Sequence, residues 1–257
     1  MTDYPDRFGG IAQLYGADGL ARLRAARVCV VGIGGVGTWT AEALARSGVG
    51  HLTLVDLDDI CVTNINRQAH ALTATVGRPK VAVMAERVLA INPACVVRAE
   101  QQFFTPQTAE AILAAGFDGV CDAIDGAGSK VVLLTECRRR GLPVVSSGGA
   151  GGRTDAGKVR VADLADASHD RLLAEVRRRL RQEHGFPGPG GPMGVDCVFS
   201  AAPVPPRTRA AACAADPAEA GARLNCNGGL GSATFVTGVF GFALAGWMVN
   251  RLAGTAA

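Results

Sequence analysis

The chain has few aromatic and few charged residues: 5% are Phe, Trp or Tyr, and 19% are Asp, Glu, Lys or Arg. This scarcity of charge, beside 48% apolar residues in a chain of 257, excludes a mainly disordered protein and a coiled coil. The apolar content is enough for the core of one large domain or two small ones. With 34 glycines, the composition is typical of an α/β protein with tight turns between strands and helices.

The sequence also lacks paired cysteines. Its eight cysteines include no C-x-x-C pair, which argues against a structural zinc site and against a small disulfide scaffold, so we expect no zinc. The N-terminal residues from Met1 to Tyr4 show no signal-peptide pattern, and we therefore expect a cytoplasmic protein.

Charge is absent altogether from residues 228–249, a stretch long enough to cross a bilayer. Membrane association through this segment is one interpretation. The other is a buried closing helix, which small residues such as Gly238, Gly241 and Ala245 favour because they allow close packing. We expect the buried helix.

An apolar run, Val28 to Val31, is followed by a glycine-rich turn, a helix over 38–46 and a second strand over 51–55, which together form a βαβ unit. The alternation continues with helices over 79–90, 106–115 and 130–140 and strands over 96–99, 119–124 and 143–146. This pattern predicts an α/β fold with a doubly wound, mostly parallel, Rossmann-like sheet.

A helix over 18–26, with Asp18 as its N-cap, is predicted before the first strand.

After Gly148 the alternation of strands and helices weakens. Strands over 159–161 and 195–199 and a helix over 168–184 predict a mixed, elaborated C-terminal half. Eight of the ten residues over 185–194 are Gly or Pro, which predicts a mobile loop. A second loop is expected near 203–222, and the whole of 1–257 is interpreted as one domain.

The turn after the first strand carries the dinucleotide-binding pattern Gly32-x-Gly34-x-x-Gly37. Glycines let backbone amides approach phosphate oxygens, and the helix N-terminus adds its dipole. Asp56, 19 residues beyond Gly37, is placed to accept hydrogen bonds from ribose hydroxyls. These features alone fit either a nicotinamide-binding oxidoreductase or an enzyme that uses ATP.

The residues that follow favour an ATP user, because breaking a phosphate anhydride requires cations for the leaving group and an acid for Mg²⁺. Both kinds of residue are present. The segment Asp56-x-Asp58 is followed by Asn64-x-x-Arg67-Gln68, then by Lys80, and later by Asp122-x-x-Asp125 at the end of a predicted strand.

In this order, these motifs resemble the ubiquitin-activating-enzyme-like adenylating superfamily. The resemblance implies that Asp56 holds the ribose, that Asn64, Arg67 and Lys80 contact the phosphates, and that Asp125 binds Mg²⁺. It also implies a homodimer in which Arg7 reaches the γ-phosphate held by the partner subunit. The residues expected to bind the nucleotide are Gly32, Gly34, Gly35, Val36, Gly37, Asp56, Asp58, Asn64 and Gln68, and those expected to be catalytic are Arg7, Arg67, Lys80 and Asp125.

Further segments resemble the tRNA threonylcarbamoyladenosine dehydratase family within this superfamily. They are the segments 7–10, 61–72, 148–152 and 194–200. The resemblance implies ATP-dependent cyclisation of the threonylcarbamoyl side chain on the adenosine beside the tRNA anticodon, with residues 1–150 as the nucleotide half and 151–257 as the substrate and dimer half. The alternative is adenylation of a ubiquitin-like sulfur-carrier protein, although such enzymes usually carry two C-x-x-C pairs.

Three features remain open at this point. Cys226 is either a small residue of a glycine-rich turn or a functional thiol, and the resemblance adds a cysteine desulfurase system as a partner. A monovalent cation, K⁺ or Na⁺, is a further candidate near the loop 148–152. The arginines over 138–140 and 177–181 either contact tRNA phosphates or form a solvated helix face.

Overall fold

The computed structural model describes residues 3–204 and 230–254. The helices in these ranges are α1 (Tyr4–Ala25), α2 (Gly37–Arg46), α3 (Lys80–Ile91), α4 (Pro106–Leu113), α5 (Ala127–Arg140), α6 (Arg171–Glu183) and α7 (Thr234–Ala253). The strands are β1 (Arg27–Val31), β2 (His51–Val55), β3 (Val96–Glu100), β4 (Gly119–Asp122), β5 (Val144–Ser147), β6 (Val159–Asp163) and β7 (Asp196–Ser200). The predicted loop over 203–222 lies almost wholly outside the described residues.

All seven strands belong to one sheet, in the order β3-β2-β1-β4-β5-β7-β6. Neighbouring strands are parallel except β6 and β7, which pair antiparallel. The predicted doubly wound α/β fold is confirmed, and the strands of the C-terminal half extend the same sheet. The strand order reverses beside β1, between β2 and β4, and such a switch point opens a crevice at the carboxyl ends of the strands.

The first strand is buried on both faces, as its unbroken apolar run predicts. Val28 and Val30 pack with α2, α3 and α7, whereas Cys29 and Val31 face α4 and α5. Successive side chains of a strand point to opposite faces, so one short strand contributes to two helical layers. The crevice at its end is therefore built on a buried part of the sheet.

The N-terminal helix is longer than the sequence predicts. The expected segment 18–26 forms only the part of α1 that follows a break at Gly16, where φ is 75°. The part before the break is held by tertiary contacts: the rings of Tyr4 and Phe8 are buried, and the Tyr4 hydroxyl donates to the Gly48 carbonyl at 2.5 Å. Packing therefore overrides the low helix propensity of Gly9 and Gly10.

The closing helix α7 is long and apolar enough to cross a membrane, but half of its most apolar 18-residue window is buried inside the protein. It lies across α2, and a side chain at Gly241 would place its Cβ 2.6 Å from the Val36 carbonyl oxygen. Such close packing requires glycine here. The helix is a core element, and the membrane interpretation of residues 228–249 is not supported.

Candidate active site

A cleft of about 520 Å³ lies at the carboxyl ends of β1, β2, β4 and β5. The predicted site residues that line it are Gly32, Gly34, Gly35, Val36, Asp56, Asp58, Asn64, Arg67, Gln68, Lys80 and Asp125. They come from five separate parts of the chain, and the fold brings them to one place. Gly37 lies directly behind this lining, at the first residue of α2.

The glycine turn after β1 is packed too tightly for side chains at two of its positions. A Cβ at Gly37 would lie 1.7 Å from the Gly32 carbonyl oxygen, and Gly32, with φ at 89°, lies against the Ala123 backbone. Gly34 instead faces open space in the cleft. The outer glycines therefore pack the turn against β4, while the middle one leaves room for a ligand at the positive end of the α2 dipole.

Asp56 follows β2 directly and is tied to the glycine turn. Its Oδ2 accepts the Ile33 N–H at 2.7 Å, and its Oδ1 accepts the Asp58 N–H at 2.9 Å. Burial raises the pKa of this carboxyl, although Lys80 and the two backbone hydrogen bonds act in the opposite direction. The side chain thus links the ends of β1 and β2 at the edge of the cleft.

The segment from Asn64 to Gln68 forms another wall. Arg67 is buried, and its Nη1 donates to the Thr63 carbonyl at 2.7 Å and to Asn66 Oδ1 at 3.0 Å. Asn64 Oδ1 accepts the Cys61 N–H at 3.0 Å, which stabilises the preceding turn. The Oε1 atom of Gln68 is buried without a hydrogen-bond partner among the described residues. A buried acceptor of this kind in a cleft wall fits a donor group on a ligand.

The closing helix fixes this wall, a role that the sequence does not reveal. The Arg67 carbonyl accepts from Trp39 Nε1 at 3.0 Å and from the Thr237 hydroxyl at 3.4 Å. Asn66 Nδ2 donates to the Ser232 carbonyl at 2.8 Å. The last helix of the chain therefore positions a cation of the nucleotide half.

Lys80 begins α3, where the helix dipole disfavours a cation. Its Nζ lies 2.6 Å from Asp58 Oδ2, and the lysine side chain is 8% exposed against 52% for the aspartate. The carboxylate compensates the cation while leaving one side of the pair open to the cleft. An entering phosphate can therefore take over the interaction.

Two aspartates at the end of β4 have opposite surroundings. Asp122 is fully buried, and its Oδ2 accepts from Lys130 Nζ at 2.9 Å and from the Ser146 hydroxyl at 2.7 Å. Its Oδ1 accepts the Ile124 N–H at 3.1 Å, which shapes the turn to Asp125. Asp125 is exposed in the cleft. The buried pair thus supports the turn that presents the open carboxylate.

Known proteins resemble the chain along its whole length. A family model described as the ThiF family matches residues 10–256. The chain belongs to the ThiF family.

Within this family, the tRNA threonylcarbamoyladenosine dehydratase of Haemophilus influenzae is 45% identical over 98% of this chain and 95% of its own length. The enzyme of the same name from Escherichia coli is 46% identical over the same shares of the two chains. A crystal structure of the E. coli enzyme in complex with ATP has a TM-score of 0.86 and covers 98% of this chain and 96% of that one, at 42% identity. The predicted resemblance to the adenylating superfamily and to its dehydratase branch is confirmed.

One predicted residue of this ThiF-family chain, Arg7, does not join the cleft, and another, Cys226, cannot be placed. Arg7 lies on α1, where its Nε pairs with Asp3 at 2.6 Å and its Nη1 donates to the Ile91 carbonyl at 3.3 Å. It does not line the cleft. Cys226 falls outside the described residues, so both of its interpretations stay open. Cys197, in contrast, is fully buried in β7.

His70 is a contributor that sequence reasoning missed. Its ring is buried beneath the glycine turn, with Nε2 3.2 Å from the Ile33 carbonyl oxygen and Nδ1 without a partner among the described residues. Burial lowers the pKa of His70 to about 4. The neutral imidazole therefore donates a hydrogen bond from Nε2 to the Ile33 carbonyl and stabilises the glycine turn. The signal in the sequence was its place two residues after Gln68.

Proposed function

We propose that this protein catalyses the ATP-dependent dehydration of threonylcarbamoyladenosine beside the tRNA anticodon, closing the threonylcarbamoyl side chain into a ring. The observation that carries the proposal is the cleft itself, where a glycine turn, Arg67, Lys80 and Asp125 meet in a chain that matches dehydratases from end to end. The ATP complex of the E. coli enzyme supports ATP as the nucleotide. We expect this activity in the cytoplasm.

The first step activates the carboxylate of the threonylcarbamoyl group. A carboxylate oxygen attacks the α-phosphorus of ATP in line, the bond to the bridging oxygen breaks, and pyrophosphate leaves with the electron pair. Arg67 and Lys80 stabilise the charge that develops on the phosphates, since both are buried cations at the cleft wall. The amides of the glycine turn and the α2 dipole hold the remaining phosphate oxygens.

The second step closes the ring. The carbamoyl group attacks the carbonyl carbon of the acyl-adenylate, and AMP leaves with the oxygen that came from the carboxylate. The carbamoyl group releases a proton as the ring closes. Because the carboxylate oxygen has left with AMP, the nucleoside has then lost the elements of one water. Because the attacking group is tethered to the reacting carbon, its effective concentration is high and no protein nucleophile is needed.

Asp125 fits a Mg²⁺ ion bound together with ATP. No cluster of three or more Asp, Glu, His or Cys side chains suited to a metal occurs in 3–204 and 230–254, and Asp125 stands exposed in the cleft. Mg²⁺ usually binds one or two carboxylates plus substrate phosphates and waters, so this donor set suits it. When bound, the ion would offset phosphate charge, and Asp125 is the residue that would hold it.

A homodimer with Arg7 acting in the partner's cleft is part of the proposal. Arg7 sits on the surface of α1, outside its own cleft, and is 38% exposed. Large apolar side chains of α1 and α7 are also exposed, among them Leu14, Phe235 and Phe242. The functional thiol at Cys226, the desulfurase partner and the monovalent cation stay predictions from the family resemblance.

The test is mass spectrometry of nucleosides from tRNA that carries threonylcarbamoyladenosine, after incubation with the protein, ATP and Mg²⁺. We expect a product lighter by one water, with one AMP and one pyrophosphate released for each. The variant D125A should lose turnover and keep its thermal midpoint, because an exposed carboxylate contributes little to the core. The matched control D18A changes an exposed aspartate of α1 and should behave as the wild type.

Full AMP release by D125A would reject the role of Asp125. An unchanged tRNA nucleoside together with adenylation of a ubiquitin-like carrier protein would reject this function and select the alternative activity. A nicotinamide enzyme is tested by thermal shift, since ATP with Mg²⁺ should stabilise the protein and NAD should not.

A further inference from the structure

In the glycine loop after β5, side chains bind both the backbone N–H and the backbone carbonyl of Gly149, and we call this segment, residues 148–151, the clamped loop. The Gly149 N–H donates to Asp170 Oδ2 at 2.8 Å, and the Gly149 carbonyl accepts from Arg153 Nε at 2.9 Å. The side chains of Arg153 and Asp170 are 3% and 1% exposed. Two buried, oppositely charged side chains therefore set the backbone of this loop where it lines the cleft.

Arg153 also joins the loop to two other parts of the chain. Its Nη2 donates to the His169 carbonyl at 2.8 Å, just before α6. Its Nη1 donates to the carbonyls of Ser200 at 3.3 Å and Ala202 at 2.5 Å, at the end of β7. The planar guanidinium suits such a set of fixed acceptors, which a lysine ammonium would satisfy only in part.

The clamped loop lies on the side of the cleft opposite the nucleoside residues. Asp56 follows β2, Asp125 follows β4, and the loop over 148–151 follows β5, so the three stand in sheet order across the cleft. With the ribose beside Asp56 and the phosphates near Asp125, the carboxylate that attacks must approach from the β5 side. The loop forms the wall on that side.

Resting on the proposed function, we propose that Arg153 is a positioning residue for the acyl substrate, acting through Gly149. It does not line the cleft and touches no reacting atom. It holds the loop so that the threonylcarbamoyl carboxylate is aligned with the α-phosphorus. Small displacements of such a wall reduce the rate strongly, because in-line attack depends on alignment.

The test compares R153M and R153K with the wild type. ATP affinity is measured by calorimetry without tRNA, kcat and KM are measured with tRNA varied at saturating ATP, and thermal midpoints report folding. We expect R153M to lower kcat/KM for tRNA by about 10²-fold and to leave the Kd for ATP within about twofold. R153K should recover about tenfold of the loss, since it keeps the charge and part of the donor set.

The control R160M removes an exposed arginine whose guanidinium donates to the carbonyls of Gly157 and Val159, and it should match the wild type. A parallel loss of ATP affinity and tRNA use, or unchanged tRNA kinetics in both Arg153 variants, would overturn the assignment. If R153M does not fold, R153K decides by the same two measurements. A wild type that fails to convert tRNA would reject the proposed function itself, whereas an active wild type with unaltered variants would reject only the role of Arg153.

Discussion

Two of the three lysines in the chain form pairs with aspartates at the same end of the sheet, yet their surroundings differ. Lys130 and Asp122 lie beneath the cleft floor and are both fully buried. Lys80 and Asp58 lie at its rim, and the aspartate is half exposed. The N–O distances are similar, at 2.9 and 2.6 Å, so burial rather than geometry separates the two pairs.

That difference in burial determines what each pair can do. Two charges deep in the protein have no alternative partner, so removing one leaves the other uncompensated at high cost. When one member of a pair is exposed to water, replacing the other member costs little stability, and the cation can bind a phosphate instead. We therefore interpret Lys130 and Asp122, the floor pair, as support for the turn that carries Asp125. Lys80 and Asp58, the rim pair, belong to the substrate site.

The largest expected effect comes from breaking the floor pair. K130M should lower the free energy of unfolding by about 3–5 kcal/mol, because Asp122 is left as a buried, uncompensated charge. Urea denaturation measures this loss. The double variant K130M/D122N should regain at least half of it, since asparagine removes the charge and keeps polar groups near the Ile124 N–H and the Ser146 hydroxyl.

The matched control for this measurement is K158M, which changes an exposed lysine and should alter the free energy of unfolding by no more than about 0.5 kcal/mol. Equal stability losses in K130M and K158M would show that the buried pair contributes nothing that an exposed lysine does not.

His70 extends the comparison to a buried group that stays neutral. The pKa of His70 is about 4 in the folded protein, because of burial, and near 6.5 when unfolded. Between these values the unfolded chain binds a proton that the folded protein does not, so stability falls as the pH drops from about 6.5 to 4. The loss is on the order of 3 kcal/mol at the acid end of this range.

Urea denaturation at a series of pH values measures this slope. Carboxyl groups titrate in the same pH range. The difference in stability between the wild type and H70Q at each pH therefore isolates the contribution of His70. Glutamine keeps a nitrogen donor for the Ile33 carbonyl and cannot titrate. H184N, which changes an exposed histidine, serves as the control. A wild-type slope retained by H70Q would contradict the assignment.

The sequence predicts the sheet and the nucleotide residues well because both leave local patterns. Buried parallel strands require unbroken apolar runs, and a phosphate-binding turn requires glycines at fixed spacing, as in Gly32 to Gly37. The supporting residues leave no such pattern. Lys130 appears as an ordinary helix residue, and Arg153 is one of 23 arginines. Their roles depend on sets of partners that lie 4 to 49 residues away and that only the fold brings together.

The same reasoning applies to the two chain ends, where the sequence misses the start of α1 but correctly favours a buried closing helix. The first turns of α1 contain glycines that disfavour a helix, and only the contacts of Tyr4 and Phe8 with the core stabilise them. The uncharged C-terminal segment is compatible with a membrane by composition, and only its packing on α2 shows where its apolar surface goes.

Breaking the rim pair should affect the rate and spare the fold. K80A should reduce turnover by about 10²-fold, as expected for the loss of one donor that stabilises developing charge. The free energy of unfolding should change by no more than about 1 kcal/mol, because Asp58 remains half exposed to water. Steady-state kinetics and urea denaturation on the same samples test both halves. A loss confined to stability would make Lys80 a structural residue.

The smallest effect is expected for ion pairs between neighbouring turns of a solvent-facing helix. Arg178 and Arg179 of α6 lie within reach of glutamates on their own helix, Glu175 at 2.6 Å and Glu183 at 3.2 Å. Each guanidinium is thus compensated locally, and the attraction for tRNA phosphates is weak at physiological salt. We expect R178A/R179A to change the apparent affinity for tRNA by less than about twofold and to leave its salt dependence unaltered.

If these arginines instead bind phosphates, the slope of log affinity against log salt should become shallower by about 0.7 to 0.9 for each phosphate that the variant no longer binds. Measuring that slope for the wild type and the double variant therefore decides between a solvated face and a tRNA-binding face on α6.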